Sequence, residues 1–318
     1  MNITFRQLRV FVEVAQQGSM ARAAATLHLT PPAVSMQVKE IESQVGLPLF
    51  DREGRKVTLS TAGEYFLVHA RKLLATLKEA EDAVARLRRV DVGLLTIGMV
   101  STAKYFVPQL LARFHEGHPG VELRLRVAGN REQLLDLLRA REVDLSIMGR
   151  PPKGLATRAE AFAGHPLVFV CPAGHPLLSI GAITVRALAE YPFIVREAGS
   201  GTRLAMEQFF AEHHFEPRIT MDMSSNETIK QAVIAGMGIS FLSLHTVGLE
   251  VKNGLIGLLD VEDTPVMRNW QVVRLQSKLL SPAAEAFRTY IIEHGEEHLQ
   301  ANDEPLLASM RRPAIHSG

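Results

Sequence analysis

The segment Glu197-Ala198-Gly199-Ser200-Gly201-Thr202-Arg203 joins an apolar run to a helical stretch and gathers residue types that bind anions. Small side chains let backbone N–H groups approach a ligand, and a helix N-terminus carries roughly half a positive charge. An arginine in the first turn adds a planar fork suited to carboxylate or phosphate. Taken alone, the segment is equally well explained as a Gly-rich connection with its arginine in solvent. Three other strand-like runs end in hydroxyls or charge: at Ser101-Thr102, at Gly149-Arg150, and at Ser224-Ser225-Asn226-Glu227 ahead of the helical ETIKQAVIAG. Together with Arg150, Arg196 and Arg203, the two helix-start loops point to a small anionic ligand rather than a sugar or a cation.

A second set of residues suits a different partner. Within residues 19–46, Ser35, Met36 and Lys39 share the outer face of a helix whose inner stripe is Val34, Val38, Ile41 and Val45, spaced four, three and four. Thr30 caps that helix and Pro31 takes its first position, where a missing N–H does no harm. A shorter helix precedes it, capped by Ser19 and packed through Ala23, Ala24 and Leu27, with the turn at Leu29. This is a helix-turn-helix, whose second helix enters a DNA major groove. By pattern alone an ordinary helical hairpin would also serve. The next stretch, LPLFDREGRKVTLSTAG, reads as two short strands with Arg52, Arg55 and Lys56 at the tip, a wing placed to touch phosphates or the minor groove.

The elements that must hold these residues follow from composition and pattern. The chain has 318 residues, enough for about two domains. Its 47% hydrophobic and 22% charged content is that of a soluble globular protein. No apolar run approaches a membrane span, and no signal peptide is legible at the N-terminus. The single cysteine, Cys171, excludes an internal disulfide and fits a reducing cytoplasm. The net charge of +1 hides an asymmetry: residues 1–90 hold 13 Lys and Arg against 9 Asp and Glu, and residues 91–318 hold 22 against 25. The positive excess accompanies the helix-turn-helix, where it favours phosphate.

From residue 61 a long helix is predicted to run to about residue 89, opened by a capping box of Thr61 and Glu64. Phe66, Ala70, Leu73, Leu77, Ala80, Val84 and Leu87 repeat at heptad spacing, which predicts pairing with a second copy; the alternative is a helix lying on its own domain. From Gly93 strands and helices alternate. LLTIGMV, VELRLRVA, VDLSIMG, PLVFVCP and YPFIVRE read as strands, while FVPQLLARFHEGHP, NREQLLDLLRARE and the stretch after Gly201 read as helices. The expectation is an α/β domain with largely parallel sheets that binds its ligand at the C-terminal strand ends.

Other signals carry less. Gly236-Met237-Gly238 follows a helix and lacks a third glycine, so it reads as a helix end, not a dinucleotide site. Gly-His-Pro occurs at Gly117, Gly164 and Gly174 and is turn chemistry, so no metal is expected at Cys171, His165 and His175. No Ser–His–Asp set, P-loop or carboxylate pair is legible, and no catalytic residue or enzyme activity is expected. Residues 301–318 are expected to be a loose tail.

A winged helix, a linker helix and a two-lobed sensor, in that order and at this length, resemble a LysR-type transcriptional regulator over roughly residues 5–299. Within that family TPPAVSMQVKEIE, DLSIMGRPP, REAGSGTR and SSNETIKQAVIAGMGISFLS look most like CbbR-type regulators of Calvin-cycle (RuBisCO) operons. The resemblance implies a winged helix-turn-helix over residues 1–60, a linker and dimerisation helix over 61–92, and a periplasmic-binding-protein-like α/β effector domain over 93–300. The first lobe is expected at about 94–162 and 267–299, the second at about 163–266, with two crossing strands as hinge. Carried over by position, Ser101, Thr102, Arg150, Ser200, Thr202, Arg203 and Asn226 would line the effector cleft. Pro31, Pro32, Ser35, Met36, Lys39, Arg52 and Arg55 would meet DNA. Family members commonly place Gln at the position of Pro31 and Arg or Lys at that of Met36; their replacement implies more apolar or shape readout.

The function so implied is a cytoplasmic activator of carbon-fixation genes, a homodimer or dimer of dimers. It would bend promoter DNA for RNA polymerase in response to ribulose bisphosphate, phosphoglycolate or NADPH, with no cofactor and no membrane partner. The alternatives are a LysR-type regulator of another pathway with a non-phosphorylated effector, and a solute-binding protein.

Overall fold

The structure, a computed structural model, describes residues 2–53, 56–86 and 93–310. It divides into an N-terminal unit and a larger unit described from Gly93 onward. Among the described residues no helix is long and apolar enough to cross a membrane.

In the N-terminal unit, α1 (Phe5–Gln17) is opened by a capping box between Thr4 and Gln7 and closed by left-handed Gly18. Helix α2 (Met20–Thr26) is capped by Ser19, and α3 (Pro31–Val45) by Thr30, whose Oγ1 accepts the N–H of Ala33. Between them His28 takes a left-handed φ of 54°, a conformation few non-glycine residues adopt. The N–H of Leu29 then donates to Ala24 O. Phe11, Val34, Val38, Ile41 and Leu49 are fully buried in one core with Ala23 and Ala24. Each large side chain there contributes about 1.5–3 kcal/mol of burial. Strands β1 (Phe50–Glu53) and β2 (Lys56–Leu59) pair antiparallel, Phe50 opposite Leu59.

Helix α4 (Thr61–Arg86) begins one residue earlier than a Thr61 cap would allow. Ser60 is the cap: its Oγ accepts the N–H of Gly63 at 3.0 Å and donates to Pro48 O at 2.7 Å, while its own N–H donates to Leu49 O. Tethered to the strand entry by two bonds, Ser60 leaves Thr61 no capping role. Gly63 must be glycine, since a Cβ there would lie 2.0 Å from the carbonyl oxygen of Leu49. Phe66, Leu67, Ala70 and Leu74 pack on the unit's own core, whereas Tyr65, Val68, Leu73 and Val84 are exposed. The helix therefore shares its apolar residues between its own domain and an open face. Leu87 lies outside the described residues.

The larger unit contains β3 (Gly93–Val100), α5 (Val107–Gly117), β4 (Val121–Ala128), α6 (Arg131–Arg139), β5 (Leu145–Met148) and the 16-residue β6 (Thr157–Pro172). Then follow β7 (Phe193–Arg196), α7 (Gly201–Glu212), β8 (Ile219–Met223), α8 (Asn226–Ile234), β9 (Ser240–Ser243), α9 (Leu244–Lys252), β10 (Ile256–Leu259), β11 (Val266–Leu275) and α10 (Pro282–Met310). One sheet runs β10-β6-β11-β5-β3-β4 with β9 added to β6; β7 and β8 form a separate parallel pair.

The expectation of largely parallel sheets is corrected here. β3 is parallel to β4 and β5, but β11 is antiparallel to β5 and β6, and β6 is antiparallel to β9 and β10. The cause is β6 with β11, two long strands that leave one lobe for the other in opposite directions. Phe162 and Ala163 of β6 lie in the core of the first lobe with Leu95, Ile97, Phe114 and Phe287. Beyond them Leu167 and Phe169 enter one core of the second lobe, and Val168 and Val170 another. Burial on both faces explains the unbroken apolar run PLVFVCP.

The expected loose tail is also corrected for residues 301–310. Helix α10 continues through Pro305 to Met310, burying Phe287, Ile291 and Leu299 in the first lobe and Leu306 and Met310 in the second. Residues 311–318 lie outside the described residues.

Candidate functional site

The cleft between the lobes is assembled from strand ends and helix starts. β3 ends at Val100, and a 3-10 helix (Ser101–Tyr105) places half-buried Ser101 and buried Thr102 at the mouth. β5 delivers Gly149 and Arg150, and the start of α6 delivers Asn130 and Arg131. From the second lobe, β7 brings Arg196, and the α7 start brings Ser200 and Thr202. Gly199, at φ +85°, turns the chain so that Ser200 caps α7, its Oγ accepting from the N–H of Arg203. The crossing strands supply His165, Arg268 and Trp270.

Arg131, Arg150, Arg196 and Arg268 converge on the cleft with one acid, Glu197. Arg196 is buried and bound on all sides. Its Nε and Nη2 donate to the two oxygens of Glu197 at 2.8 and 2.9 Å, and its Nη1 donates to Asn226 Oδ1 at 2.7 Å. Its Nη2 also reaches Ser101 Oγ across the cleft at 3.4 Å. Arg268 donates to Gly201 O, and burial together with the like charge of Arg150 holds its pKa below the usual guanidinium value. Two arginines held that close are relieved by an anion.

His165 forms the cleft floor. It is buried, with neither ring nitrogen hydrogen-bonded in the structure, and it stacks on Trp270. Burial, then the nearby His245 and Arg268, hold its pKa well below the usual histidine value, so it is neutral. A neutral imidazole offers one donor and one acceptor to whatever enters. Gly149 permits this, since a Cβ there would stand 3.1 Å from His165 Nδ1.

Of the expected cleft residues, the structure brings together Ser101, Thr102, Arg150, Ser200 and Thr202. Asn226 stands behind the cleft, orienting Arg196. Arg203 is turned away. Its Nε donates to Glu207 one helical turn on, at 2.6 Å, its Nη1 donates to Arg196 O, and it lines an outer hollow on the second lobe. The i,i+4 partner draws the guanidinium along the helix rather than into the cleft. Reading by residue type missed Arg131, Arg268, Trp270 and the role of His165. The expectation that every Gly-His-Pro is a turn fails at Gly164-His165-Pro166, which lies inside β6, whereas His175 does cap a short 3-10 helix. Gly236, left-handed at φ +78°, follows the end of α8 as a helix terminator.

On the N-terminal unit Pro31, Pro32, Met36 and Lys39 are exposed along α3, and Ser35 is half-buried beside them. Arg52 lies in β1, and Arg55 is outside the described residues. The buried stripe turns these residues outward, which is the arrangement a recognition helix needs.

Comparison with known proteins assigns both units. Residues 5–64 match the bacterial regulatory helix-turn-helix protein, lysR family, and residues 88–296 match the LysR substrate binding domain. The chain is 50% identical to the HTH-type transcriptional regulator CfxR of Cupriavidus necator over 93% of both proteins. It is 46% identical to the RuBisCO operon transcriptional regulator of Allochromatium vinosum, over 92% of this chain and 96% of that one. Among solved structures, the CcmR regulatory domain of Synechocystis PCC6803 in complex with 2-PG superposes with a TM-score of 0.60 at 38% identity, covering 63% of this chain and 96% of that one. With a winged helix-turn-helix, an effector-type domain and these matches across nearly its whole length, the chain belongs to the LysR family of DNA-binding transcriptional regulators.

Proposed function

We propose that this regulator controls carbon-fixation genes from the cytoplasm and responds to a small phosphorylated metabolite held between the lobes of its effector domain. The observation that carries the effector class is the convergence of Arg131, Arg150, Arg196 and Arg268 on a lining with Glu197 as its one acid. Arg196 is paired with Glu197 and Arg131 with Glu132, which leaves Arg150 and Arg268 for the ligand. The 46% identity to a RuBisCO operon regulator supports the gene class, and the 2-PG complex of the related CcmR domain favours phosphoglycolate over ribulose bisphosphate or NADPH. Ser101, Thr102, Arg150, Ser200 and Thr202 would hold the anion, with Asn226 acting through Arg196.

Promoter DNA would be read by Pro31, Pro32, Ser35, Met36 and Lys39, with Arg52 and Arg55 of the wing on the backbone. Exposed Tyr65, Val68, Leu73 and Val84 favour α4 pairing with a second copy, which would set two recognition helices on neighbouring half-sites. A thermal-shift and calorimetry series with 2-phosphoglycolate, ribulose bisphosphate, NADPH and an aromatic acid tests the effector class. Stabilisation by a phosphorylated compound supports it, and stabilisation by the aromatic acid alone would replace it with a regulator of another pathway.

A further inference from the structure

Helix α10 does more than close the fold. Leu299 lies in the core of the first lobe and Leu306 in that of the second; between them the helix carries Asp303, a carboxylate 8% exposed. Asp303 Oδ2 lies 2.9 Å from Nε2 of His245, at the start of α9. His245 Nδ1 in turn lies 3.2 Å from Nε1 of Trp270. Indole Nε1–H can only donate, so His245 Nδ1 accepts, and its proton sits on Nε2 and is donated to Asp303. The direction of both bonds is thereby fixed from one end to the other. At the far end Trp270 forms the cleft floor, stacked on His165 and packed against Phe106 at 4.9 Å.

We propose that Asp303 is a positioning residue of the effector cleft, fixing the indole of Trp270 through His245. Without an acceptor at residue 303, the buried Nε2–H of His245 loses its partner. Moving the proton to Nδ1 would then set an N–H against the N–H of the indole. Either way the bond to Trp270 is lost or weakened and the surface under His165 loosens. Asparagine at 303 retains an oxygen that accepts from Nε2–H, so it should preserve the chain. The consequence for effector affinity rests on the reading of the cleft given above.

The test compares Asp303→Ala, Asp303→Asn and Leu306→Ala in the full chain. Leu306→Ala removes packing from the same helix but leaves the hydrogen bonds. Trp270 is the sole tryptophan, so its emission reports this site directly. In the ligand-free protein, Asp303→Ala should shift the emission and raise acrylamide quenching, while Asp303→Asn and Leu306→Ala keep the wild-type spectrum. With 2-phosphoglycolate as probe, Asp303→Ala should raise Kd at least about fivefold, and the other two should stay within about twofold. The proposal is overturned if Asp303→Ala leaves emission unchanged, if Asn fails to rescue, or if Leu306→Ala reproduces the effects. Should Asp303→Ala not fold, His245→Leu, which also cuts the chain, takes its place in the same comparison. If the wild type does not bind the probe, the effector reading fails and the emission comparison still decides the role of Asp303.

Discussion

The imidazole of His165 lies flat on the indole of Trp270, with ring centroids 4.0 Å apart and planes at 18°. The two sit on paired crossing strands: Trp270 faces Ala163, and His165, two residues further along β6, is its diagonal neighbour on the same face. A register break between Trp270 and Gln271, opposite Phe162, re-aims the strand at this point. The stack thus belongs to the hinge and to the cleft at once.

Acid should destabilise the effector domain. His165, His175 and His298 are all held below the usual histidine pKa, in each case chiefly by burial. Groups depressed in the folded state stabilise it above the unfolded-state pKa, near 6.5, and that stability is lost as pH falls below it. Half-buried His213, raised by the carbonyl of Phe209 and by Asp263, acts in the opposite sense. Thermal unfolding between pH 7.5 and 5 should show Tm falling with pH, and the fall should be shallower in His165→Asn. A Tm that rises on acidification would contradict the buried, neutral His165.

Arg150 and Arg268 should carry effector affinity, and Arg203 should not. A hydrogen bond to a charged group contributes about 1.5–3 kcal/mol, so Arg150→Ala and Arg268→Ala should each raise Kd for 2-phosphoglycolate about tenfold or more. Arg203→Ala, whose side chain is engaged by Glu207, should change it by less than about twofold. Calorimetry that ranks Arg203 above Arg150 would move the binding site.

Lys39 is exposed on the outer face of α3. Lys39→Ala should weaken promoter binding and lower the slope of log K against log salt by about one, as expected for one lost phosphate contact. An unchanged slope measured by fluorescence anisotropy would remove Lys39 from the interface.

The helix cap at Ser60 makes a sharp contrast with its neighbour. Ser60→Ala should cost about 1 kcal/mol in denaturant unfolding and Thr61→Ala less than about 0.5 kcal/mol. Equal costs would restore Thr61 as the cap.

The helix-turn-helix was legible because its determinants are local. Ser19, Thr30 and Pro31 act within one helical turn, and Val34, Val38 and Ile41 repeat at helical spacing. The cap at Ser60 was missed because Pro48 and Leu49, which hold it, lie more than ten residues back. In the cleft, the helix-start hydroxyls Ser200 and Thr202 could be read from their loop. His165, Arg268 and Trp270 could not, since they meet only through the antiparallel pairing of β6 with β11. Asp303 was hidden for another reason: Pro305 and the sparse apolar residues beyond it read as a frayed end. Burial of Leu306 and Met310 against the second lobe keeps that segment helical.

The central claim is that an anion in the arginine-lined cleft alters how this regulator occupies DNA at carbon-fixation genes. A DNase footprint of the full chain on the DNA upstream of its own gene and neighbouring carbon-fixation genes, with and without 2-phosphoglycolate or ribulose bisphosphate, tests it most directly. The account predicts an extended protected region whose length or hypersensitive sites change on adding the phosphorylated compound, a change lost in Arg150→Ala. A footprint there that is indifferent to both compounds, or none at any of those promoters, would contradict it.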